Sequence, residues 1–230
     1  MNNQIVESRP LREQVADIVR GMILRGELKS GDQLSERAIS QNLQVSTTPV
    51  KEAFRLLQAE GLIYTKPRSG SYVADFTIDD MLKVGFMRSA MEGVAAYYAA
   101  ENLQAADFER MHYVLDQVEP LLSNCEENAE AFYRYNLEFH QIIRQASGSS
   151  FLSRQIETLR TIDGNFRQVS QIAYFEEPVS AYREHRQILA ALEARDSHLS
   201  EQLIVEHHRK VYEKLTSHAK ELLYNKASSN

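Results

Sequence analysis

A chain of 230 residues, 43% apolar and 25% charged, has room for two packed domains of unequal size and is unlike a disordered protein. The single cysteine, Cys125, excludes an intrachain disulfide. The sequence has neither a signal-peptide core nor a run of ~20 apolar residues, so we expect a cytoplasmic protein without a membrane span. The net charge of −6 is uneven: ten Lys and Arg oppose nine Asp and Glu through Asp75, and sixteen oppose twenty-three after it, so only the first segment suits a phosphate backbone.

Three helices are predicted before Gly61, which ends the third. Over residues 11–25 apolar side chains recur at helical spacing, in a stripe formed by Leu11, Val15, Ile18, Met22 and Ile23. Ser35 is placed to cap a second helix over 36–43, and Ser46 to cap a third over 47–60. The positions of the third helix that we expect to face inward are Ala53, Leu56, Leu57 and Ala59.

A β-hairpin is predicted directly after the third helix. Two short β-like runs, 62–65 and 71–74, flank a basic turn over 66–70 that contains Pro67. A helix-turn-helix pattern alone is more often an ordinary helical corner, but a third helix that exposes Thr and Lys, followed by a basic hairpin, is much more specific. Residues 1–76 are therefore predicted to form a winged helix-turn-helix that binds double-stranded DNA.

The segment LSERAISQNLQVSTTPVKEAFRLLQAEGLIYTKPRSGSYV, residues 34–73, resembles the DNA-binding domain of the GntR superfamily. The resemblance places DNA contacts on six residues, namely Arg37, Ser46, Thr47, Thr48, Lys51 and Gly70. Arg68, at the tip of the wing, is a further candidate from its charge and position alone. The family usually has Arg where this chain has Thr47 and Lys51; Thr cannot pair with guanine through two hydrogen bonds, so we expect a different operator preference.

Every segment after residue 76 has a helical pattern. The predicted helices span 78–102, 105–122, 128–146, 151–171, 179–194 and 197–224. Six helices in this length predict an antiparallel all-helical bundle over residues 77–230. The fold class is therefore mainly α, with an N-terminal winged helix-turn-helix and a C-terminal helical domain.

Three histidines on three of these helices, His140, His185 and His207, are candidates to converge inside the bundle and hold a ligand. Asn136 shares a helix face with His140 because it lies four residues earlier. A lone histidine on a half-apolar helix is more often an ordinary core or surface residue, so spacing alone leaves convergence open. His208 points about 100° away from His207, and we expect it to be solvated.

The segments 87–92, 136–140 and 184–186, with Asp196 and His207, resemble the FCD domain, the effector domain of FadR-like GntR regulators. In metal-bearing members an Asp and three His bind a divalent ion that holds a carboxylate effector. The resemblance implies Zn or Ni ligands at Asn136, His140, His185 and His207. The amide at position 136 is a weaker donor than a carboxylate, which leaves the fourth ligand uncertain. Arg88 pairs either with an effector carboxylate or with Glu92 one turn on.

The two resemblances together imply a homodimeric transcription regulator. Its two recognition helices would bind an inverted-repeat operator, and a small-molecule effector would change its affinity for DNA. Two other functions stay open at this point. One is a metal-dependent hydrolase whose histidines activate water, although the chain has no HExxH motif; the other is a DNA-binding dimer with a vestigial pocket.

Overall fold

The computed structural model describes residues 9–75, 77–124, 127–170 and 177–228. In chain order its elements are α1 (Leu11–Leu24), β1 (Gln33–Leu34), α2 (Glu36–Leu43), α3 (Thr47–Ala59), β2 (Ile63–Lys66), β3 (Gly70–Val73), α4 (Ile78–Asn102), α5 (Ala105–Val118), a 3-10 segment (Glu119–Asn124), α6 (Ala129–Ala146), α7 (Ser150–Ser170), α8 (Pro178–Glu193) and α9 (Ser197–Ser228). The predicted fold class is confirmed. Cys125, and Phe76 at the predicted domain boundary, lie outside the described residues.

The described residues divide into two compact units after Thr77, and the part of α7 from Thr161 onward groups with the first unit. An antiparallel sheet in the order β1-β3-β2 accompanies α1 to α3 in that unit. The predicted hairpin is β2 and β3, with Lys66 opposite Gly70. Strand β1 has no counterpart among the predicted elements, because its two residues are too few to show an alternating pattern.

The apolar face of α1 differs from the predicted stripe. Helix α1 buries Val15, Ala16, Val19 and Ile23, whereas Leu11 and Ile18 are 47% and 45% exposed. The buried face is centred on residues 15, 19 and 23, and the position before Val19 lies about 100° around the helix from it. Part of the prediction for α1 is therefore wrong.

Helix α3 shows a similar difference. Its buried residues are Val50, Ala53, Phe54 and Leu57, and Ala59 is exposed rather than inward-facing. Both predicted N-cap positions are confirmed, but only Ser35 makes a capping bond, accepting from the backbone N–H of Ala38 at 3.2 Å. The inward side of α3 joins the core that α1 and the sheet complete, which leaves its outer side exposed.

The described helical part of the second unit consists of α4, α5, the 3-10 segment, α6, the part of α7 before Thr161, α8 and α9. Helices α4 and α9 form its most extensive pair, and small residues on α4 allow a close approach. A Cβ atom on Gly85 would overlap the ring of Tyr212, and one on Gly93 would lie 2.5 Å from Cγ2 of Val205. In the part of the chain that is described, no helix is long and apolar enough to cross a bilayer.

Candidate DNA-binding surface and histidine cluster

The first half of α3 presents a polar surface. Thr47, Thr48 and Lys51 are exposed there, and Ser46, the N-cap, is exposed before them. Lys51 Nζ lies 3.9 Å from Glu36 Oε2, and both side chains are more than one third exposed. A surface ion pair of this kind contributes little, so Lys51 keeps its positive charge available to another partner.

The tip of the wing is held in a fixed shape by two side chains. The amide of Gln33 and the hydroxyl of Tyr72 both donate hydrogen bonds to the carbonyl of Ser69, at 2.8 and 3.1 Å. Arg68 has a φ of 63° and Gly70 a φ of 108°, so the turn uses the left-handed region at both positions. Arg68 is exposed on this rigid turn, and so is Arg37 on α2.

An aromatic pair with a cation above it supports the same hairpin. Tyr64 and Tyr72 stack with ring centroids 5.6 Å apart, and Lys66 Nζ lies 5.4 and 5.0 Å from those two centroids. Cation–π contacts and cross-strand aromatic pairs each stabilise a hairpin by roughly 0.5–1 kcal/mol. The seven residues predicted to contact DNA are all exposed, and several stand on a well-supported scaffold.

The three predicted histidines converge in the second unit. His185 Nε2 lies 3.2 Å from His140 Nε2 and 3.3 Å from His207 Nε2, and each residue is at most 3% exposed. They come from α6, α8 and α9, whose packing brings residues far apart in sequence to one point. Three imidazole nitrogens this close together form a candidate metal centre.

One carboxylate, that of Glu184, holds the ring of His207 in this cluster. His207 Nδ1 lies 2.7 Å from Glu184 Oε2, and Lys210 Nζ lies 3.1 Å from the other oxygen. Burial raises the pKa of Glu184, but hydrogen bonds from His207 and Lys210 outweigh it and lower the pKa to about 2. An ionised carboxylate only accepts hydrogen bonds, so Nδ1 of His207 donates to Glu184 and its Nε2 faces His185.

The second ring nitrogen of His140 has a different environment. Its Nδ1 is buried with no hydrogen-bond partner among the described residues, and burial, followed by neighbouring histidines, lowers the pKa of His140 well below its usual value. The imidazole is therefore neutral at pH 7, the form in which histidine ligates metals. Asn136 lies one turn earlier on α6 and is 5% exposed.

A buried ionic cluster lies beside the histidines, and the sequence pattern did not indicate it. Glu92 is 1% exposed; its Oε1 lies 3.4 Å from Arg88 Nε, 3.3 Å from Arg144 Nη1 and 3.9 Å from His208 Nε2. Arg144 is itself only 7% exposed. The pairing of Arg88 with Glu92, one of its two predicted alternatives, is present, and Arg88 Nη1 also donates to the hydroxyl of Tyr212 at 3.0 Å.

The prediction that His208 is solvated is wrong. It is 5% exposed, and its ring centroid lies 4.8 Å from that of His140. Helix α9 packs against both α4 and α8, so two faces that differ by about 100° are both covered. Burial, together with the charge of Arg88, lowers the pKa of His208 well below its usual value.

Comparisons with known proteins agree with both halves of this description. Residues 11–73 match the family described as bacterial regulatory proteins, gntR family, and residues 83–210 match the FCD domain. The HTH-type transcriptional repressor RspR of Escherichia coli (strain K12) is 27% identical over 213 residues, 93% of this chain and 92% of that one. A probable D-xylose utilization operon transcriptional repressor of Paenarthrobacter nicotinovorans is 30% identical over 212 residues, 90% and 88% of the two chains.

Solved structures share the architecture. The structure of E. coli McbR/YncC is 22% identical and aligns over 96% of this chain and 100% of its own, with a TM-score of 0.55. A second structure, from work on Lar of Listeria monocytogenes, covers 94% and 99% with a TM-score of 0.59 at 18% identity. At these identities the likeness shows the fold.

Proposed function

The chain belongs to the GntR family of bacterial regulators and carries an FCD domain, and we propose that it acts as a cytoplasmic homodimer whose operator affinity changes when a carboxylate effector binds. It is a DNA-binding transcription regulator and not an enzyme. The relatives described above are likewise named as transcriptional repressors. The metal-dependent hydrolase is accordingly not favoured. Helix α3 with the wing supplies the DNA contacts, and the histidine cluster supplies the site for the effector.

The exposure of the first half of α3 is the observation that supports the DNA contacts. A recognition helix contacts base edges with its N-terminal residues, and here these are Thr47, Thr48 and Lys51, opposite a fully buried face. Thr47 offers a methyl group and a hydroxyl to a base edge, and Lys51 a single positive charge. Arg68 and Gly70 at the wing tip, with Arg37 on α2, complete the proposed contact set.

An apolar strip on α4 supports the assembly of two copies. Met87, Val94 and Tyr98 are 58%, 39% and 50% exposed, and their spacing of seven and four residues puts them on one helix face. Contact between two copies along this face would hide it from water and give one molecule two recognition helices, which suits an operator with two half-sites. The operator is then a short inverted repeat.

Replacing Lys51 by Ala is expected to weaken binding to the inverted repeat upstream of the chain's own gene roughly tenfold or more. The reason is that a charged side chain at the N-terminal half of α3 is lost while the buried side of the helix is untouched. Gel-shift titration at fixed salt measures the affinity, and sedimentation of the complex should give two protomers per duplex. Lys83→Ala, which removes an equally exposed charge from α4, is the control and should leave affinity nearly unchanged.

Two outcomes would contradict this assignment. Equal loss of affinity in Lys51→Ala and Lys83→Ala would mean that only the total charge matters. Equal, weak binding of the unchanged protein to unrelated DNA would mean that α3 reads no sequence.

The geometry of the histidine cluster supports a divalent ion, and its donors fit one. Ligands about 2.0–2.1 Å from a tetrahedral Zn stand about 3.3 Å apart, close to the 3.2 and 3.3 Å that separate Nε2 of His185 from Nε2 of His140 and of His207. Direct hydrogen bonds cannot serve both short contacts equally well, because Nε2 of His185 can donate to only one of its two neighbours at a time. Asn136, as a neutral oxygen donor near His140, is the proposed fourth ligand, and Zn or Ni the proposed ion.

If bound, such an ion would supply a positively charged centre to which a carboxylate could add as a further ligand, either beside Asn136 or in its place. The chain's own groups then orient that carboxylate. Arg88, already hydrogen-bonded to Glu92 and Tyr212, is the proposed cationic partner on α4. The effector is therefore proposed to be a small carboxylate.

Replacing His185 by Ala is expected to lower the affinity for Zn at least about 100-fold, because it removes the imidazole that stands between the other two. Metal content after dialysis against Zn, and a competition titration with a chelator, measure this. His112→Ala removes an exposed histidine that pairs with Glu193 and should keep the wild-type affinity. Equal metal content in wild type and His185→Ala would rule out the histidine cluster as the metal centre.

A further inference from the structure

A polar cleft lies between α6 and α7, and Arg144, which lines it, also contacts Glu92. The cleft has a volume of about 420 Å³, which is enough for a small organic or inorganic anion. Its lining comes from two helices: Gln141 and Arg144 of α6, and Ser153, Arg154, Glu157 and Arg160 of α7. Ser153 ties the helices together by donating to the carbonyl of Arg144 at 3.2 Å.

The side chains of this cleft carry more positive than negative charge. Three guanidinium groups stand against one carboxylate, that of Glu157. Nη1 of Arg160 forms an ion pair with Oε2 of Glu157 at 2.6 Å. Arg154 has no carboxylate within ion-pair distance among the described residues, so its charge faces the cleft and the solvent.

The excess of positive charge in the cleft is especially unfavourable at Arg144, because this side chain is buried. Its guanidinium is 7% exposed, and the carboxylate it contacts, Glu92, is shared with Arg88. Burial lowers the pKa of Arg144; the carboxylate of Glu92 opposes this effect, and the positive charges of Arg160 and Arg88 act in the same direction as burial. Like charges crowded around a desolvated guanidinium are unfavourable unless an anion accompanies them.

We propose that the cleft between α6 and α7 binds a small dianion, recognised by Arg144, Arg154 and Arg160 through charge-assisted hydrogen bonds to its oxygens. Arginine forks suit phosphate and carboxylate groups, and the amide of Gln141 adds a neutral donor. The site is separate from the histidine cluster, since none of the three histidines lines it. It goes beyond the proposed function because it needs neither a metal ion nor DNA.

The site is nevertheless linked to the histidine cluster through one side chain. Arg144 lies one turn after His140 on α6 and contacts Glu92, which in turn lies 3.9 Å from His208. An anion that draws the guanidinium toward the cleft would weaken its hold on Glu92. Occupancy of the cleft would then change the charge beside the proposed metal centre, a coupling that must act equally in both directions.

Isothermal titration of the full chain, after treatment with chelator and without DNA, tests the proposal with inorganic phosphate and with succinate as probes. We expect saturable binding of at least one probe at millimolar concentration, in buffer whose ionic strength is matched with NaCl. Arg154→Gln and Arg160→Gln should each weaken binding roughly tenfold or more, because each removes a hydrogen bond to a charged group. Both positions are at least partly exposed, so neither change should prevent folding.

Arg110→Gln is the matched control, because it removes a guanidinium from the same unit, where it pairs with Glu138 at 2.9 Å. It should leave anion binding unchanged. Phosphate and succinate distinguish a phosphoryl ligand from a dicarboxylate. Absence of saturable binding for both probes would overturn the proposal. Equal weakening in all three variants would also overturn it, because it would reveal a general charge effect. Neither result would bear on DNA or metal binding, which are measured separately.

Discussion

Replacing Glu92 by Ala is expected to lower the free energy of unfolding of the helical domain by about 3–5 kcal/mol. Glu92 is 1% exposed, and its Oε1 faces both Arg88 and Arg144. Without it, the almost fully buried guanidinium of Arg144 loses its carboxylate partner. The folded state would then keep an unpaired charge away from water, which destabilises it. Burial already lowers the pKa of Arg144, which shows how poorly the charge is solvated there.

Chemical denaturation followed by circular dichroism measures this loss. Glu138→Ala is the matched control, because it breaks an exposed pair with Arg110 and should cost no more than about 1 kcal/mol. Glu92→Gln keeps the shape and a hydrogen-bonding oxygen but removes the charge, so its loss should lie between those of the other two. A Glu92→Ala protein as stable as Glu138→Ala would show that Glu92 does not neutralise the buried arginines.

Replacing Gly85 by Ala is expected to destabilise the chain by about 1–3 kcal/mol, although alanine is the better helix former by about 1 kcal/mol. The added methyl group would overlap three ring carbons of Tyr212. That ring is 2% exposed and cannot swing into solvent, so α4 and α9 must separate or the ring must leave its position. Either change disturbs the hydrogen bond from Arg88 to the Tyr212 hydroxyl.

Gly164→Ala is expected to have the opposite effect, a higher free energy of unfolding, when measured by the same chemical denaturation. Gly164 lies within α7, and a Cβ there would meet no atom within 4 Å. The change should therefore stabilise the chain by about 0.5–1 kcal/mol through helix propensity alone. If both glycine variants were stabilised, the close approach of α4 and α9 would be wrong.

The sequence predicted most elements of the fold, because helical spacing and turn residues are local signals. What it missed depends on contacts between distant segments. Strand β1 exists only because Gln33 and Leu34 pair with β3, and the burial of His208 follows from α4 and α8 covering two sides of α9. Neither the pairing of β1 nor the burial of His208 can be predicted from the local sequence pattern.

The candidate sites divide in the same way. Exposure of Thr47, Thr48 and Lys51 follows from the helical period and the cap, so it was predictable from one helix. Convergence of His140, His185 and His207 was expected only from the resemblance to the FCD domain, since no spacing links residues so far apart. The pairing of Arg88 with Glu92 was predicted as one alternative from their spacing, but the contact of Glu92 with Arg144 gave no signal, because these two residues lie on different helices.

The fit of Tyr212 into the space left by Gly85 also fixes how far α9 can slide along α4. His207 lies five residues earlier on the same helix. The position of the Tyr212 ring against Gly85 therefore also determines where the imidazole of His207 lies relative to His185. Packing of α4 against α9 would thereby hold His207 in position for the proposed metal centre. An ion that bound there would need little rearrangement of the chain, so its binding would cost less entropy than a site that is ordered only by its metal.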